Sequence, residues 1–416
     1  MNPLIQLKET TPVFLVVLVL TFFWLGLSPK AIGDRPVQTV DVIYSFAGDE
    51  DGEYADTDLE ADDAGIYGTT VLGGNFGGGT VFRLSPTPNG WVHTVLYSFT
   101  GGADGGEPYK GVTVDRHGNL YGTAVTGGSG NCEGGCGVVY KLTNSGGTWI
   151  QTVIHEFTGG DDGSGPGARV TVDSRGDVYG MTPTGGANGL GTVYKIHRHA
   201  GTRSFQVIHT FTGGADGSGG SAGRMLLLHG RLYGAATAGG TYGSGVVFEL
   251  TPTRVGEWNF RALYSFRGQP DGSFPYGALL RDVSGNIYGT TYYGGTNGIG
   301  AVFELSPQPV GEWDERLIYS FQAGSDGNSP ISNLVFDNAG NLYGTTSAGG
   351  LGSGTIFELS PVSGGQWTET VVHSFAGPPD GSFPYSGMVV DRFGNFYGTT
   401  VHGGDNDDGS IYNFTP

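Results

Sequence analysis

Cysteine, basic residues and helical periodicity are scarce in this chain. Two cysteines in 416 residues leave no disulfide framework to carry the fold. Twenty lysines and arginines stand against 39 acids, a formal net charge of −19, which argues against a basic nucleic-acid face because such a balance repels phosphate. Glycine is abundant, 80 residues, yet it follows no three-residue period, so a collagen-like rod is excluded. Aromatic residues reach 12%, which excludes a disordered tail, since a chain this rich in Tyr, Phe and Trp can bury a core.

The N-terminus reads as a targeting segment. Residues 12–27 are almost wholly apolar and follow Lys8, a run shorter than the ~20 residues that a membrane span usually needs. Ala31-Ile32-Gly33 offers a small-x-small cleavage site before Asp34. Glu9 offsets Lys8 and Lys30 follows the apolar run, so an uncleaved anchor is the alternative. Residues 1–33 are therefore a signal peptide or N-terminal anchor, contact with a membrane runs only through them, and the rest of the chain is exported. In an oxidising compartment Cys132 and Cys136, four residues apart, can close a local disulfide. The competing metal reading needs ligands that the nearby sequence does not supply.

Self-similarity dominates residues 39–416. Tyr-Gly recurs at Tyr67, Tyr121, Tyr179, Tyr233, Tyr288, Tyr343 and Tyr397, at intervals of 54 to 58 residues. Each copy holds four short β-type runs and no helical period. In the sixth copy these are residues 333–337, ending in an Asp-x-x-Gly-Asn turn, then Asn-Leu-Tyr-Gly-Thr-Thr, Gly-Thr-Ile-Phe-Glu-Leu and Thr-Val-Val-His-Ser-Phe. Four antiparallel strands in ~55 residues make one propeller blade. The expected fold is all-β, a seven-bladed β-propeller of four-stranded antiparallel blades, forming one domain over residues 39–416. The longest Gly/Asp/Pro stretches then join the outer strand of one blade to the inner strand of the next. In that frame residues 39–46 are a lone outer strand, which closes the last blade beside residues 410–414 and removes an open edge.

Three aromatic sets recur once per blade and read as core. They are the Tyr-Gly tyrosines; the phenylalanines at 46, 99, 157, 211, 266, 321 and 375; and Phe82, Tyr140, Tyr194, Phe248, Phe303, Phe357 and Tyr412. The glycine after each tyrosine makes room for an adjoining aromatic. Trp91, Trp149, Trp258, Trp313 and Trp367 share one hairpin position, where the remaining full copy has Arg203, with Phe205 two residues on.

One polar feature is as regular. Five residues after each recurring Phe comes an Asp-Gly pair: Asp51, Asp104, Asp162, Asp216, Asp271, Asp326 and Asp380. The seven lie in corresponding loops on one face. Either they are turn formers, since Asp bonds its own backbone and Gly takes positive φ, or they are oxygen ligands for calcium or a bound molecule. The acidic loop at residues 48–58 resembles a calcium loop in composition only. Catalytic motifs are poor. Gly219 to Gly223 matches a nucleophile elbow around Ser221, a match that chance supplies in so glycine-rich a chain. His155, His209 and His373 replace a recurring tyrosine and read as packing variants; His197 and His199 fall in a hairpin. Nothing selects two carboxylates from the ring as a glycosidase pair. The fourth repeat departs most, reading Leu-Leu-Leu-His-Gly-Arg at residues 226–231.

The recurring D-x-x-G-N-L-Y-G-T-T, G-G-T-V-F-E-L-S-P and L-Y-S-F-x-G-x-x-D-G-x-x-P resemble the Gloeo-Verruco tandem-repeat family of bacteria across residues 40–416. The resemblance implies an exported repeat protein, often one carrying a surface anchor, and brings no catalytic residues to transfer. The chain stops at Pro416 after its last strand, so retention at a surface would use the N-terminal segment or a partner. The first expectation is a monomeric binding module for an extracellular glycan or surface protein. The alternatives are a polysaccharide lyase or hydrolase using loop carboxylates, and a purely structural surface protein.

Overall fold

The Tyr-Gly-Thr-Thr segments are strands covered on both faces. In the sixth repeat Leu342–Thr346 is buried at all five positions, as expected where neighbouring sheets pack against both sides. It pairs antiparallel with Val335–Phe336 on its inner side and with Thr355–Pro361 on its outer side. Trp367–Ser374 pairs last and alternates exposed with half-buried residues, the pattern of an outer edge. This is a computed structural model, and it describes residues 39–416 apart from 200, 222 and 310. The targeting segment expected at residues 1–33 lies outside the described residues.

The four-strand pattern recurs as seven separate sheets, and the chain is a seven-bladed β-propeller. The last sheet runs Val40–Ser45, Ser410–Phe414, Phe396–Thr400, Val389–Val390, so the N-terminal strand supplies its outer edge. Blades four and five each carry one extra short segment beside the inner hairpin, Ser218–Gly220 and Gly272–Pro275. The inner strands hold only two or three residues, shorter than the five read from sequence, because the Asp of the Asp-x-x-Gly-Asn turn ends the ladder early. Asp337 accepts bonds from the backbone N–H groups of Ala339 and Asn341 and from the Asn341 amide, which closes the turn on its own side chain.

The core lies between blades. All three recurring aromatic sets are buried, save a half-buried Tyr233, and the seven phenylalanines are fully so. Each apolar cluster draws residues from adjoining sheets; one joins Tyr179 of blade three to Phe248 and Trp258 of blade four. The tryptophans lean on the preceding blade, with Trp91 edge-on to Tyr397 at 5.7 Å and Trp258 edge-on to Tyr179 at 6.1 Å. A seven-fold bond fixes the outer turn: each recurring Phe N–H donates to the carbonyl of the glycine that opens the third strand, as Phe321 does to Gly300 at 3.1 Å. That glycine also lies against the next blade, for a Cβ on Gly300 would sit 2.4 Å from the Pro330 ring. The proline of each D-G-x-x-P loop is thus a spacer between blades.

Candidate functional site

The Asp-Gly and Gly-Gly loops share one face, called the upper face here. Backbone bridges such as Ser164 to Thr184, Asn328 to Ala348 and Ser382 to His402 tie them together. The structure places all seven aspartates at the outer rim of this face, each closing its own loop. Each carboxylate accepts a bond from the Tyr or His seven residues before it, at 2.7–3.2 Å: Tyr44 to Asp51, Tyr97 to Asp104, His155 to Asp162, His209 to Asp216, Tyr264 to Asp271, Tyr319 to Asp326 and His373 to Asp380. Each also accepts the backbone N–H four residues before it, at 2.5–3.0 Å. The three histidines therefore do the tyrosine's work. Burial pushes the His155 and His209 imidazoles down against the pull of their aspartates, so the neutral ring donates as a phenol would. Among the described residues no group of three or more His, Cys, Asp or Glu is placed to hold a metal ion.

A second residue, six before each Phe, reaches this rim from the following blade. His93 stacks on Tyr44 at 4.5 Å, Phe205 on His155 at 3.7 Å and Phe260 on His209 at 4.4 Å. Glutamates fill the position in two blades. Glu315 accepts from Tyr264 at 3.3 Å, and Oε1 of both Glu315 and Glu369 is buried without a partner. Burial, reinforced by Asp271 and Asp326, pushes both carboxyls up to about 7. A folded value above the unfolded one means the fold holds extra protons between about 4.5 and 7. Stability is then complete below that window and falls as pH rises through it. The paired substitution Glu315→Gln and Glu369→Gln keeps the shape and removes the charge. Melting curves should place the variant above the parent at pH ~8 and level with it near pH ~4.5; equal curves at both would contradict this.

The concave part of the upper face lies inward of the aspartates, where two adjoining cavities of about 420 and 520 Å³ share Lys110, Phe274 and Tyr276. Their walls come from loops around the ring: Asp56 of the first repeat, Lys110 of the second, Tyr276 of the fifth, Ile331 of the sixth and Tyr385 of the seventh. This is the mouth of the central channel, and none of the seven aspartates lines it. Three residues past each Asp the backbone is left-handed in every repeat, at Tyr54, Glu107, Gly165, Gly219, Phe274, Ser329 and Phe383, with φ between 53° and 65°. Glycine occupies that conformation freely, yet five repeats put a side chain there and three of those are bulky aromatics. Five residues past the Asp come Asp56, Tyr109, Tyr276 and Tyr385, half-buried around the same opening.

One ion pair sits among these rings. Lys110, 5% exposed, bonds through Nζ to Asp56 Oδ1 at 2.5 Å, and the same oxygen accepts from Ser386 Oγ at 3.0 Å. Burial is the strongest single influence and works against the ammonium, but Asp56, Tyr276 and Asp58 together outweigh it and raise Lys110. Tyr109 and Tyr385 are raised mainly by burial, with Asp56 adding to the effect. The mouth thus holds an ammonium that keeps its proton and phenols that keep theirs. They can donate hydrogen bonds and present ring faces, but they are poor bases at neutral pH. Among the described residues no histidine lines either cavity, and Ser221, the chance elbow, is 3% exposed.

The acidic loop at 48–58 divides its labour: Asp51 closes the rim, Asp56 pairs with Lys110, and Asp58 accepts the Gly387 N–H at 3.2 Å across the ring closure. Cys132 and Cys136 form a disulfide with Cα atoms 5.0 Å apart, and a Cβ on Gly159 would meet both sulfurs within 2.8 Å, so the bridge packs on the neighbouring turn. Sequence reasoning missed the mouth. The readable signal was the variation three and five residues past each Asp, where Phe-Pro-Tyr in two repeats faces Gly-Pro-Gly in another.

The sequence profile of the Gloeobacter/Verrucomicrobia repeat matches residues 87–275, 129–314 and 229–416, and the chain belongs to that family. No curated protein matches it. Among solved structures, a polysaccharide lyase, Uly1, is similar at 12% identity over 87% of this chain and 90% of its own, with a TM-score of 0.53. A Lactobacillus plantarum protein is similar at 15% identity over 83% and 87%, with a TM-score of 0.50. At such identities the likeness is one of fold.

Proposed function

We propose that this member of the Gloeobacter/Verrucomicrobia repeat family is an exported or cell-surface binding module that holds a glycan in the upper mouth of its channel. The observation that carries the reading is the left-handed backbone under Phe274 and Phe383, which line the mouth. A bulky residue held there costs of order 1–3 kcal/mol that glycine would not, and such strain gathers at ligand sites. Half-buried rings beside phenol hydroxyls and a buried ion pair suit a sugar, which offers apolar C–H faces between hydroxyl groups. The Asp-Gly ring supports this mouth by fixing each loop; a calcium requirement would act through those loops. A monomer is sufficient, since all parts of the mouth come from one chain.

A polysaccharide lyase or hydrolase is the second reading, and the presence of Lys110 and Tyr276 at one cavity favours it. The proton-retaining state of the ammonium and its neighbouring phenols favours binding instead. Incubation of the purified protein with soluble and insoluble polysaccharides, with calcium or chelator, separates the two. Depletion of the protein onto a polysaccharide without new reducing ends is the expected result. New reducing ends or unsaturated products would replace the binding reading with the enzymatic one.

A further inference from the structure

A cavity of about 870 Å³ lies on the opposite face, under blades three and four. The irregular fourth repeat builds it. Leu226–Leu228 pairs with Arg231–Ala238 through a two-residue turn, His229-Gly230, both at positive φ. The longer loop closed by an aspartate, found at Asp115, Asp282, Asp337 and Asp391, is absent here. The resulting hollow has an apolar side, Val172, Leu226, Leu227 and Trp258, and its inner end opens towards a channel cavity of about 400 Å³. Arg224 lines both cavities.

Arg224 differs from the other cations around it. Arg175 is bonded to Asp173 at 3.0 Å, and Lys195 to Asp177 at 2.9 Å. Arg169, buried in the channel wall, spends its donors on Glu60, the Leu59 carbonyl and Thr113. Arg224 has one ion-pair partner among the described residues, Glu60 at 3.8 Å, and that carboxylate is already engaged by Arg169; Asp58 acts on Arg224 more weakly. Its side chain is 40% exposed and lines both cavities, and its guanidinium is a planar fork of donors. The nearby Arg169 guanidinium, followed by burial, pulls Arg224 below its usual range, the sign of a cation short of counter-charge. A guanidinium of this kind matches a carboxylate in a two-pronged bond.

We propose that the cavity under blades three and four is a second binding site, in which Arg224 grips a small organic carboxylate whose apolar flank lies against Leu226, Leu227 and Trp258. The site is separate from the upper mouth. Glu60 competes with the ligand for the guanidinium, so its removal tightens binding.

Calorimetric titration of the purified protein with benzoate, glucuronate and inorganic phosphate tests this. A saturable carboxylate signal is expected, weakened at least ~10-fold by Arg224→Gln, strengthened by Glu60→Gln, and unchanged by Phe274→Gly with Phe383→Gly at the other face. Benzoate binding above glucuronate identifies the flank as fully apolar, and the reverse order as one that accepts a sugar ring; either supports the site. Phosphate binding as tightly as both acids would remove the apolar flank and overturn the proposal. So would the absence of any saturable signal, or equal affinity in Arg224→Gln with its melting temperature preserved. Glu60→Gln guards the reading, because a merely damaged fold loses affinity and cannot gain it.

Discussion

A chain lacking residues 39–47 should not melt as a propeller. Val40–Ser45 pairs along the whole of Ser410–Phe414, and Phe46, fully buried, donates its N–H to Gly409 at 3.0 Å. Ile43 and Tyr44 pack against the same cluster, which also takes Phe82 and Leu84 from blade one and Tyr397 from blade seven. Emptying the Phe46 site alone costs about 3–5 kcal/mol, and total stabilities lie around 5–15 kcal/mol. Truncation removes that contact, a six-residue ladder and the rim bond from Tyr44 to Asp51 together, and it leaves a bare edge on the last blade. The expected outcome is loss of the cooperative transition and aggregation, measured by calorimetry against a chain that begins at residue 39. Phe46→Ala should cost about as much as Phe99→Ala, its counterpart in the next blade, because the closing strand is an ordinary blade strand supplied from the far end of the chain. A truncated chain with an unchanged melt would show that the ring does not depend on this closure.

The second large effect comes from adding a single methyl group. A Cβ on Gly344 would lie 2.6 Å from Phe357 Cζ and 2.9 Å from a Leu334 methyl. The ring cannot retreat: Phe357 is fully buried and meets Phe321 edge-on with centroids 5.2 Å apart. The same clash, at 2.2–2.7 Å, awaits a side chain at Gly68, Gly122, Gly180, Gly234, Gly289 and Gly398. Overpacking of this kind costs about 1–3 kcal/mol and sometimes more, and a ring pinned on both sides belongs at the upper end. Gly344→Ala should therefore lower the denaturation midpoint with its slope unchanged. Adding Phe357→Leu should return part of the loss, since the smaller side chain vacates the space. If Gly344→Ala were neutral, the glycine would be serving chain flexibility rather than ring packing.

The propeller was legible because its determinants are local and repeated seven times. Tyr-Gly names the buried strand, and the recurring Phe ends the outer strand. The Asp-x-x-Gly-Asn turn sets the inner hairpin but also shortens its strand, a point that strand propensity alone did not give. The aspartates were legible as a ring and as turn formers, but their side-chain partners were not. Only the structure joins Asp271 to Tyr264 and Asp380 to His373, seven residues back, and so explains why histidine alternates with tyrosine there. The mouth was hidden for a different reason. Left-handed backbone is advertised by glycine, and at that position glycine appears only at Gly165 and Gly219. The pairing of Lys110 with Asp56 joins two repeats 54 residues apart and has no counterpart in the others, so no repeat pattern could announce it. The Arg224 cavity likewise arises where the fourth repeat abandons the common turn.

The upper mouth as the binding site is tested most directly by giving it the residues of its own third and fourth repeats. Phe274→Gly with Phe383→Gly removes two rings from the mouth and relieves a backbone that only glycine occupies at no cost. Affinity for the polysaccharide that depletes the parent protein, read beside the melting temperature, should fall at least ~10-fold while the melting temperature holds or rises. Undiminished binding together with a lowered melting temperature would contradict it, and would make the two phenylalanines part of the packing and not of the site.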